Sequence, residues 1–384
     1  MTNQSFKVLI FIDWYLPGFK AGGPIQSVAN IVEHLGDLLE LYILTSDTDY
    51  SENDPYFNII PNEWVDVGKA KVMYLPKTYQ NCSIFRRIIK EVNPNCIYLN
   101  SLFSKYFTLL PIWVCKLFFR RLPILLAPRG MLKSGALSLK KNKKSTFLKL
   151  AKWMGWYKNV KWHATSEEEV YEIRNYIGKR PIVANLINFS GNSVKYILYN
   201  EKNPGLLKLI YVARIAKVKN LHFALEVLRD VKSKAKIEYD IFGANDEQEY
   251  LQLCEQIVKT LPDNVKVNFK GILPPHELKL VWKDYHFLFL PTLGENYGHT
   301  IIESLQNGIP VIISDKTIWN GLENANAGCA IALDNKPKYI TNIELFANLD
   351  NSEYMKMQDN ALNYANEKTK NSELIEKYLA FFTT

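Results

Sequence analysis

The chain sets up the same rhythm twice: short apolar runs separated by helical patterns. That rhythm restricts its fold more than any other feature. In the first half the runs are Val8–Ile12, Glu40–Thr45, Lys71–Leu75, Cys96–Leu99, Ile124–Ala127 and Trp162–Thr165. Between the first two, Val28, Ile31, Val32 and Leu35 repeat at helical spacing, and Ser166 before three glutamates reads as a capped helix start. Short buried strands alternating with helices form βα units, and βα units form parallel sheets.

The rhythm loosens between 188 and 205, where Asn188, Gly191, Asn192, Asn200, Asn203, Pro204 and Gly205 punctuate it. It then restarts, with strands expected at 207–212, 237–242, 265–269, 287–291 and 310–314 and helices between them. The tail from Ser352 to Phe382 reads as helix. The expected organisation is a Rossmann-like domain over 1–190, a linker over 191–205 and a second Rossmann-like domain over 206–365. A last helix, 366–384, is free to pack back on the first domain. Two such α/β domains would bind ligands at the carboxyl ends of their strands, facing each other across a cleft.

A length of 384 residues suits two domains, and 47% apolar with 22% charged residues is ordinary for a globular protein. Cys82, Cys96, Cys115, Cys254 and Cys329 are scattered, without ligand spacing, and read as reduced thiols rather than as a disulfide framework or a zinc site. The apolar run at Lys7–Ile12 is closed by Asp13 and is too short for a secretion signal. Tyr106–Cys115 contains Pro111 and covers half of the roughly 20 residues a membrane span needs; it reads as a core helix. A cytoplasmic protein, peripheral at the inner face of the membrane, is expected.

The net charge of +8 is concentrated. No acidic residue occurs between Glu91 and Glu167, where Lys116, Arg120, Arg121, Lys149 and Lys152 alternate with Trp113, Phe118, Phe119, Trp153 and Trp156. Such a block favours an anionic partner: a membrane surface, a pyrophosphate-linked substrate or nucleic acid.

The most informative stretch runs from Leu288 through Gly294, Glu295, Asn296, Tyr297, Gly298, His299 and Thr300 to Glu303. A buried strand enters a glycine-bearing loop, and a helix begins near Gly298. Its N-terminus offers free N–H groups to an anion, and Gly298 lets the backbone come close to a ligand. Upstream, Arg214 follows a strand end and Lys219 lies in the next loop. Two cations aimed at one point suit a pyrophosphate and can stabilise its charge as a leaving group without a metal. Asp47-Thr48-Asp49 looks like a metal motif but follows only the second strand, and reads as turn chemistry. Gly22-Gly23 lacks the G-x-G-x-x-G spacing of a dinucleotide fold, which argues against a dehydrogenase.

The pairing Arg214-x4-Lys219 with Glu295-x7-Glu303, together with Tyr15–Pro24 and Ile309–Ile312, resembles the retaining GT-B glycosyltransferases of the family 4 type. Pro128–Leu132 is similar to a segment of bacterial enzymes of capsule, exopolysaccharide and O-antigen assembly. The resemblance implies roles. Arg214 and Lys219 would hold the donor diphosphate, Glu295 the sugar hydroxyls and Glu303 the ribose. Asn296, Tyr297, Gly298, His299 and Thr300 would line the sugar and phosphates, Gly271 and Ile272 the base, and Gly22 and Gly23 a loop over the diphosphate. Arg129 stands at or near the place of a histidine found in many members. With Met131, Lys133 and His163 it makes up the expected acceptor-binding set. No metal or cofactor is implied, since the nucleotide sugar, uridine diphosphate by family habit, is a substrate. The implied partners are that donor, a glycan or polyprenyl-diphosphate-linked acceptor and an anionic membrane, without nucleic acid. Two other classes stay open on residues alone: a GT-B epimerase, and a non-enzymatic basic protein that binds membranes or nucleic acid.

Overall fold

The computed structural model describes residues 5–133, 141–178, 181–191 and 199–384. The expected linker therefore lies partly outside the described residues, as does 134–140 of the basic block. The chain forms two compact units, 1–189 with 371–384, and 190–370.

The first unit holds β1 (Lys7–Phe11), α1 (Gly23–Leu35), β2 (Glu40–Ser46), β3 (Trp64–Val67), β4 (Ala70–Leu75), α2 (Cys82–Val92) and β5 (Cys96–Asn100). It continues with α3 (Leu110–Phe118), β6 (Ile124–Ala127), α4 (Lys141–Trp153), β7 (Val160–Ala164), α5 (Glu167–Ile177) and β8 (Ile182–Asn185). The sheet order is β3-β4-β2-β1-β5-β6-β7-β8. Among the described strands of this unit only β3 runs antiparallel to its neighbour. The central strands are buried on both faces, which is why Val8–Phe11 and Cys96–Asn100 read as continuous apolar runs. Ser166 caps α5 as its sequence suggests, its hydroxyl accepting from the Glu169 N–H. The expected core helix at Tyr106–Cys115 is a π turn over Lys105–Leu109 that runs into α3. One face of α3 is buried through Ile112, Val114 and Cys115, whereas Trp113, Leu117 and Phe118 are exposed.

The second unit holds β9 (Leu206–Val212), α6 (Leu221–Arg229), β10 (Lys236–Phe242), α7 (Gln248–Val258), β11 (Val265–Gly271), α8 (Pro275–Val281) and β12 (Phe287–Leu290). Then come α9 (His299–Gln306), β13 (Val311–Ser314), β14 (Gly328–Ile331), α10 (Lys336–Ala347) and α11 (Asn351–Lys368). Its sheet is wholly parallel, ordered β11-β10-β9-β12-β13-β14. Numbered within the unit this is 3-2-1-4-5-6, the doubly wound Rossmann order, and the first unit shows the same order with β3 and β8 added at its edges.

Three strands carry no clear signal in the sequence. β3 and β8 are four-residue edge strands with mixed exposure. β14 reads Gly-Cys-Ala-Ile, poor in the branched residues that mark strands. Small residues are needed there: a Cβ on Gly328 would lie 2.1 Å from the Val311 carbonyl oxygen. The expected tail helix is two helices. α11 ends at Lys368, and α12 (Ser372–Thr383) belongs to the first unit, where Tyr378, Phe381 and Phe382 join its core.

Candidate functional site

In a doubly wound sheet the chain leaves the first strand toward one side and later returns to the other. The loops after the two central strands then diverge and leave a crevice at their carboxyl ends. In the second unit those strands are β9 and β12, paired in parallel through Phe287 with Leu209 and Leu288 with Ile210. Arg214 and Lys219 follow β9; Gly294 to Gly298 follow β12.

The two loops are tied together. Thr292 donates its hydroxyl to the Val218 carbonyl at 3.0 Å, and Leu293 donates its N–H to the same oxygen at 2.9 Å. Asn220 donates to the Pro291 carbonyl at 2.9 Å. The loop after β13 closes the other side: Glu295 N–H donates to the Lys316 carbonyl at 3.1 Å, and the Trp319 indole N–H donates to the Tyr297 carbonyl. Gly298 then starts α9 with φ +78°, a left-handed conformation that strains any residue with a side chain. A Cβ there would also meet Ile301 at 2.9 Å.

Lys219 and Glu295 form an ion pair across this crevice, and both side chains are largely withdrawn from water. Arg214 pairs with Asp246, four residues past the end of β10. The expectation of two cations converging on one point is thus modified, because each holds a carboxylate. A diphosphate would gain their charge by exchanging with, or adding to, those partners. Asp246 was not singled out in the sequence, since nothing in Gly-Ala-Asn-Asp marks a partner for an arginine 32 positions earlier.

Glu303 lies on the first turn and a half of α9 and keeps part of its surface accessible. Burial raises its pKa to about 7, only partly offset by the charge of Lys279. A carboxylate this poorly hydrated gains most from a ligand that supplies hydroxyl donors. Asn296, His299 and Thr300 are partly exposed around the helix start. Tyr297 is buried, its phenol bonded to Ser190, so only its backbone is placed to line a ligand. Gly271 ends β11 with φ +75°, and Ile272 beside it is 43% exposed.

Gly22 and Gly23 begin α1 in the first unit, both exposed, Gly22 with φ +68°. Asp49 explains the apparent metal motif: its carboxylate accepts from the N–H groups of Phe19 and Lys20 and so folds the loop before α1. Among the described residues no cluster of three His, Cys, Asp or Glu is arranged to hold a metal ion.

The acceptor set is dispersed. Arg129, with φ +55°, is spent on protein partners. Its guanidinium donates to the Asn100 side-chain oxygen at 2.8 and 3.2 Å, to Tyr98 Oη at 3.0 Å and to Asn188. Met131 accepts the Leu102 N–H at its sulfur, and Lys133 pairs with Glu168 at 3.0 Å. His163 must be corrected: it has no accessible surface and cannot touch an acceptor. Its Nε2–H donates to the Leu186 carbonyl at 2.8 Å, and its Nδ1 accepts from Tyr98 at 2.6 Å. Burial and the nearby Arg129 charge lower its pKa to about 3, so it is a neutral core residue.

Residues 199–363, within the second unit, match the family described as Glycosyl transferases group 1. Whole-chain similarity to solved structures agrees with the two Rossmann-like domains of the GT-B fold. Sucrose-phosphate synthase from Thermosynechococcus elongatus superposes with a TM-score of 0.70 at 16% identity, over 99% of this chain and 98% of that one. Anabaena HepE in complex with UDP and glucose gives 0.67 at 13% identity, over 98% and 99%. WaaG, a glycosyltransferase involved in lipopolysaccharide biosynthesis, gives 0.64 at 14%, over 98% and 99%. Among curated sequences, the putative colanic acid biosynthesis glycosyltransferase WcaL of Salmonella typhimurium is 31% identical over 130 residues, 32% of this chain and 30% of WcaL. The alpha-monoglucosyldiacylglycerol synthase of Streptococcus pneumoniae is 30% identical over 115 residues, 30% of this chain and 25% of the synthase. The chain thus spans under a third of the length of these two curated relatives.

Proposed function

We propose that the protein is a retaining glycosyltransferase of the family 4 type. It would move a hexose or N-acetylhexosamine from a UDP-sugar to a polyprenyl-diphosphate-linked or other glycan acceptor in bacterial surface polysaccharide synthesis, such as capsule or O-antigen. One observation carries the reading. The segment that matches the group 1 family holds the Lys219–Glu295 pair, the start of α9 and Glu303 on the loops and helix that follow β9 and β12, which supports it. Arg214 and Lys219 would take the diphosphate, Glu295 the sugar hydroxyls, Glu303 the ribose, and the backbone near Gly271 and Ile272 the base. Cationic side chains stabilise a departing diphosphate without a metal. Retention would follow front-face substitution, in which the leaving phosphate accepts the proton of the incoming hydroxyl. The first unit would bind the acceptor.

A site at the inner face of the cytoplasmic membrane is supported by one surface of the first unit. Leu150, Trp153 and Met154, at and just past the end of α4, are exposed, Trp153 by 83%. Lys116 donates to the Gly155 carbonyl at 2.6 Å, which brings α3 with its exposed Trp113, Leu117 and Phe118 alongside. Lys149, Lys152, Arg120 and Arg121, close to these residues in the sequence, are exposed as well. Aromatic groups and lysines together suit an anionic bilayer surface. No described helix is long and apolar enough to cross a membrane.

The direct test incubates purified protein with a panel of nucleotide sugars and reads released nucleotide and thermal shift. Turnover or stabilisation by one UDP-sugar, without added metal, is expected. Absence of both across the panel would refute the assignment.

A further inference from the structure

The first unit has the same switch point as the second, between β1 and β5; of the residues assigned above, Arg129 bonds Asn100 at the end of β5, and Gly22 and Gly23 follow β1. Phe11 pairs with Leu99, so two residues further on Asp13 and Ser101 face each other at the carboxyl ends of the central strands. The Asp13 carboxylate accepts from the Ser104 hydroxyl at 2.6 Å through one oxygen and from Ser101 at a long 3.4 Å through the other. A carboxylate has about four acceptor positions. Asp13 is only partly buried, and the second oxygen has no shorter partner among the described side chains. Loss of hydration raises its pKa although the two serines lower it, so the group is held partly dry with hydrogen-bonding capacity left.

The backbone here is strained at two residues that carry side chains. Ser101 has φ +102° and Arg129, after the adjacent β6, has φ +55°. Such outliers persist where the surroundings force them and gather at functional sites. Asn100, 1% exposed, adds a third sign. Its oxygen takes both Arg129 contacts, which fixes the amide orientation, and its Nδ2 has no hydrogen-bond partner among the described residues. A buried donor without a partner is destabilising unless something else meets it.

We propose that the β1/β5 switch point is the acceptor-hydroxyl site of the protein, with Asp13 accepting a hydrogen bond from the sugar hydroxyl and Ser101 and Ser104 holding its carboxylate. This rests on the reading of the first unit as the acceptor domain. Asp13 is then an acceptor-selecting residue, distinct from the donor-binding set of the second unit.

The test uses the full chain, UDP-glucose and n-octyl glycosides of glucose, galactose and N-acetylglucosamine as probes. Glycoside binding is read by saturation-transfer NMR, and transfer by UDP release. Asp13→Asn keeps the shape and the Ser104 contact. It is expected to raise the KM or Kd for the glycoside at least tenfold, while the KM for UDP-glucose and the thermal midpoint stay unchanged. Ser104→Ala should give a smaller change of the same kind. Unchanged glycoside binding in Asp13→Asn overturns the proposal. So does a lowered midpoint with equal loss of donor and glycoside affinity, which marks a purely structural pin, and so does wild-type protein that binds no glycoside. Wild-type protein that binds glycosides but never turns over or binds a nucleotide sugar refutes the transferase reading instead, and NMR with Asp13→Asn still decides the role of Asp13.

Discussion

The two units share one strand order but equip their switch points differently. At β9/β12 the crevice is lined by opposite charges in pairs, Lys219 with Glu295 and Arg214 with Asp246, beside a helix start opened by a glycine. At β1/β5 a single carboxylate is held by serine hydroxyls, and the unusual backbone angles fall on Ser101 and Arg129. Exchangeable ion pairs beside the positive end of a helix suit a multiply charged ligand such as a diphosphate. A lone, poorly hydrated carboxylate suits a neutral hydroxyl. One doubly wound scaffold can thus support two chemistries by changing only the loops that leave its central strands.

The contrast between the two switch points breaks most readily at Glu295. Glu295→Ala is expected to lower kcat/KM for transfer by about 10²–10³, the range seen when one preorganised polar group is removed from a reaction site. UDP binding should persist, because Lys219 is released from its partner. Steady-state kinetics with calorimetric UDP titration checks both halves, and wild-type kcat/KM would remove Glu295 from the site.

Gly243→Ala probes the scaffold beneath the same crevice. The new Cβ would fall 1.8 Å from the Ala213 carbonyl oxygen, so the strand ends must separate. A loss of about 4 kcal/mol or more is expected, in the range reserved for severe backbone conflicts. Denaturant unfolding would show it, and an unchanged midpoint would mean that β9 approaches the end of β10 more loosely than this separation implies.

Glu303 gives a pH signature. Its pKa is raised from 4.5 to about 7, so the folded protein binds the proton more tightly than the unfolded chain. That contribution to stability is present at low pH and is lost as pH rises from about 4.5 through 7. A ribose diol prefers the ionised form, so nucleotide affinity should run the opposite way. Between pH 8 and pH 6 the Kd for UDP is expected to rise about tenfold, as ionisation falls with a pKa near 7. Glu303→Gln should flatten both profiles; a pH-independent Kd in the wild type would contradict the role.

The smallest functional effect is expected at His163. His163→Leu strands the Tyr98 hydroxyl and the Leu186 carbonyl and should cost about 1–3 kcal/mol of stability. The KM for a glycoside acceptor should stay within about twofold of wild type, given a core role that acts on folding rather than contact. A selective rise in that KM without destabilisation would reinstate the histidine as an acceptor contact.

Much of the candidate crevice of the second unit was legible because its parts are local. A strand, a glycine, a helix start and two glutamates eight positions apart lie within one stretch, and Arg214 and Lys219 lie within another. Periodicity likewise marked the central strands, since burial on both faces leaves little choice of residue. Edge strands β3 and β8 and the small-residue β14 were invisible, because exposure or close packing removes the apolar signal. On the other side, His163, at a strand end, fits either a packing role or an acceptor contact on sequence alone. Only the packing of Tyr98, Leu186 and Tyr378 around it shows that it is enclosed.

By itself the sequence determined two parallel α/β units and the four charged residues that mark the second, because strand burial, helix periodicity and motif spacing all act over a few residues. Tertiary structure decided who pairs with whom: Arg214 with Asp246, Lys219 with Glu295, Asp13 with Ser101 and Ser104, His163 with the core. Those choices depend on hydrogen-bond and ion-pair geometry between loops 32 to 91 positions apart in the chain, and on which side chains the fold leaves without water.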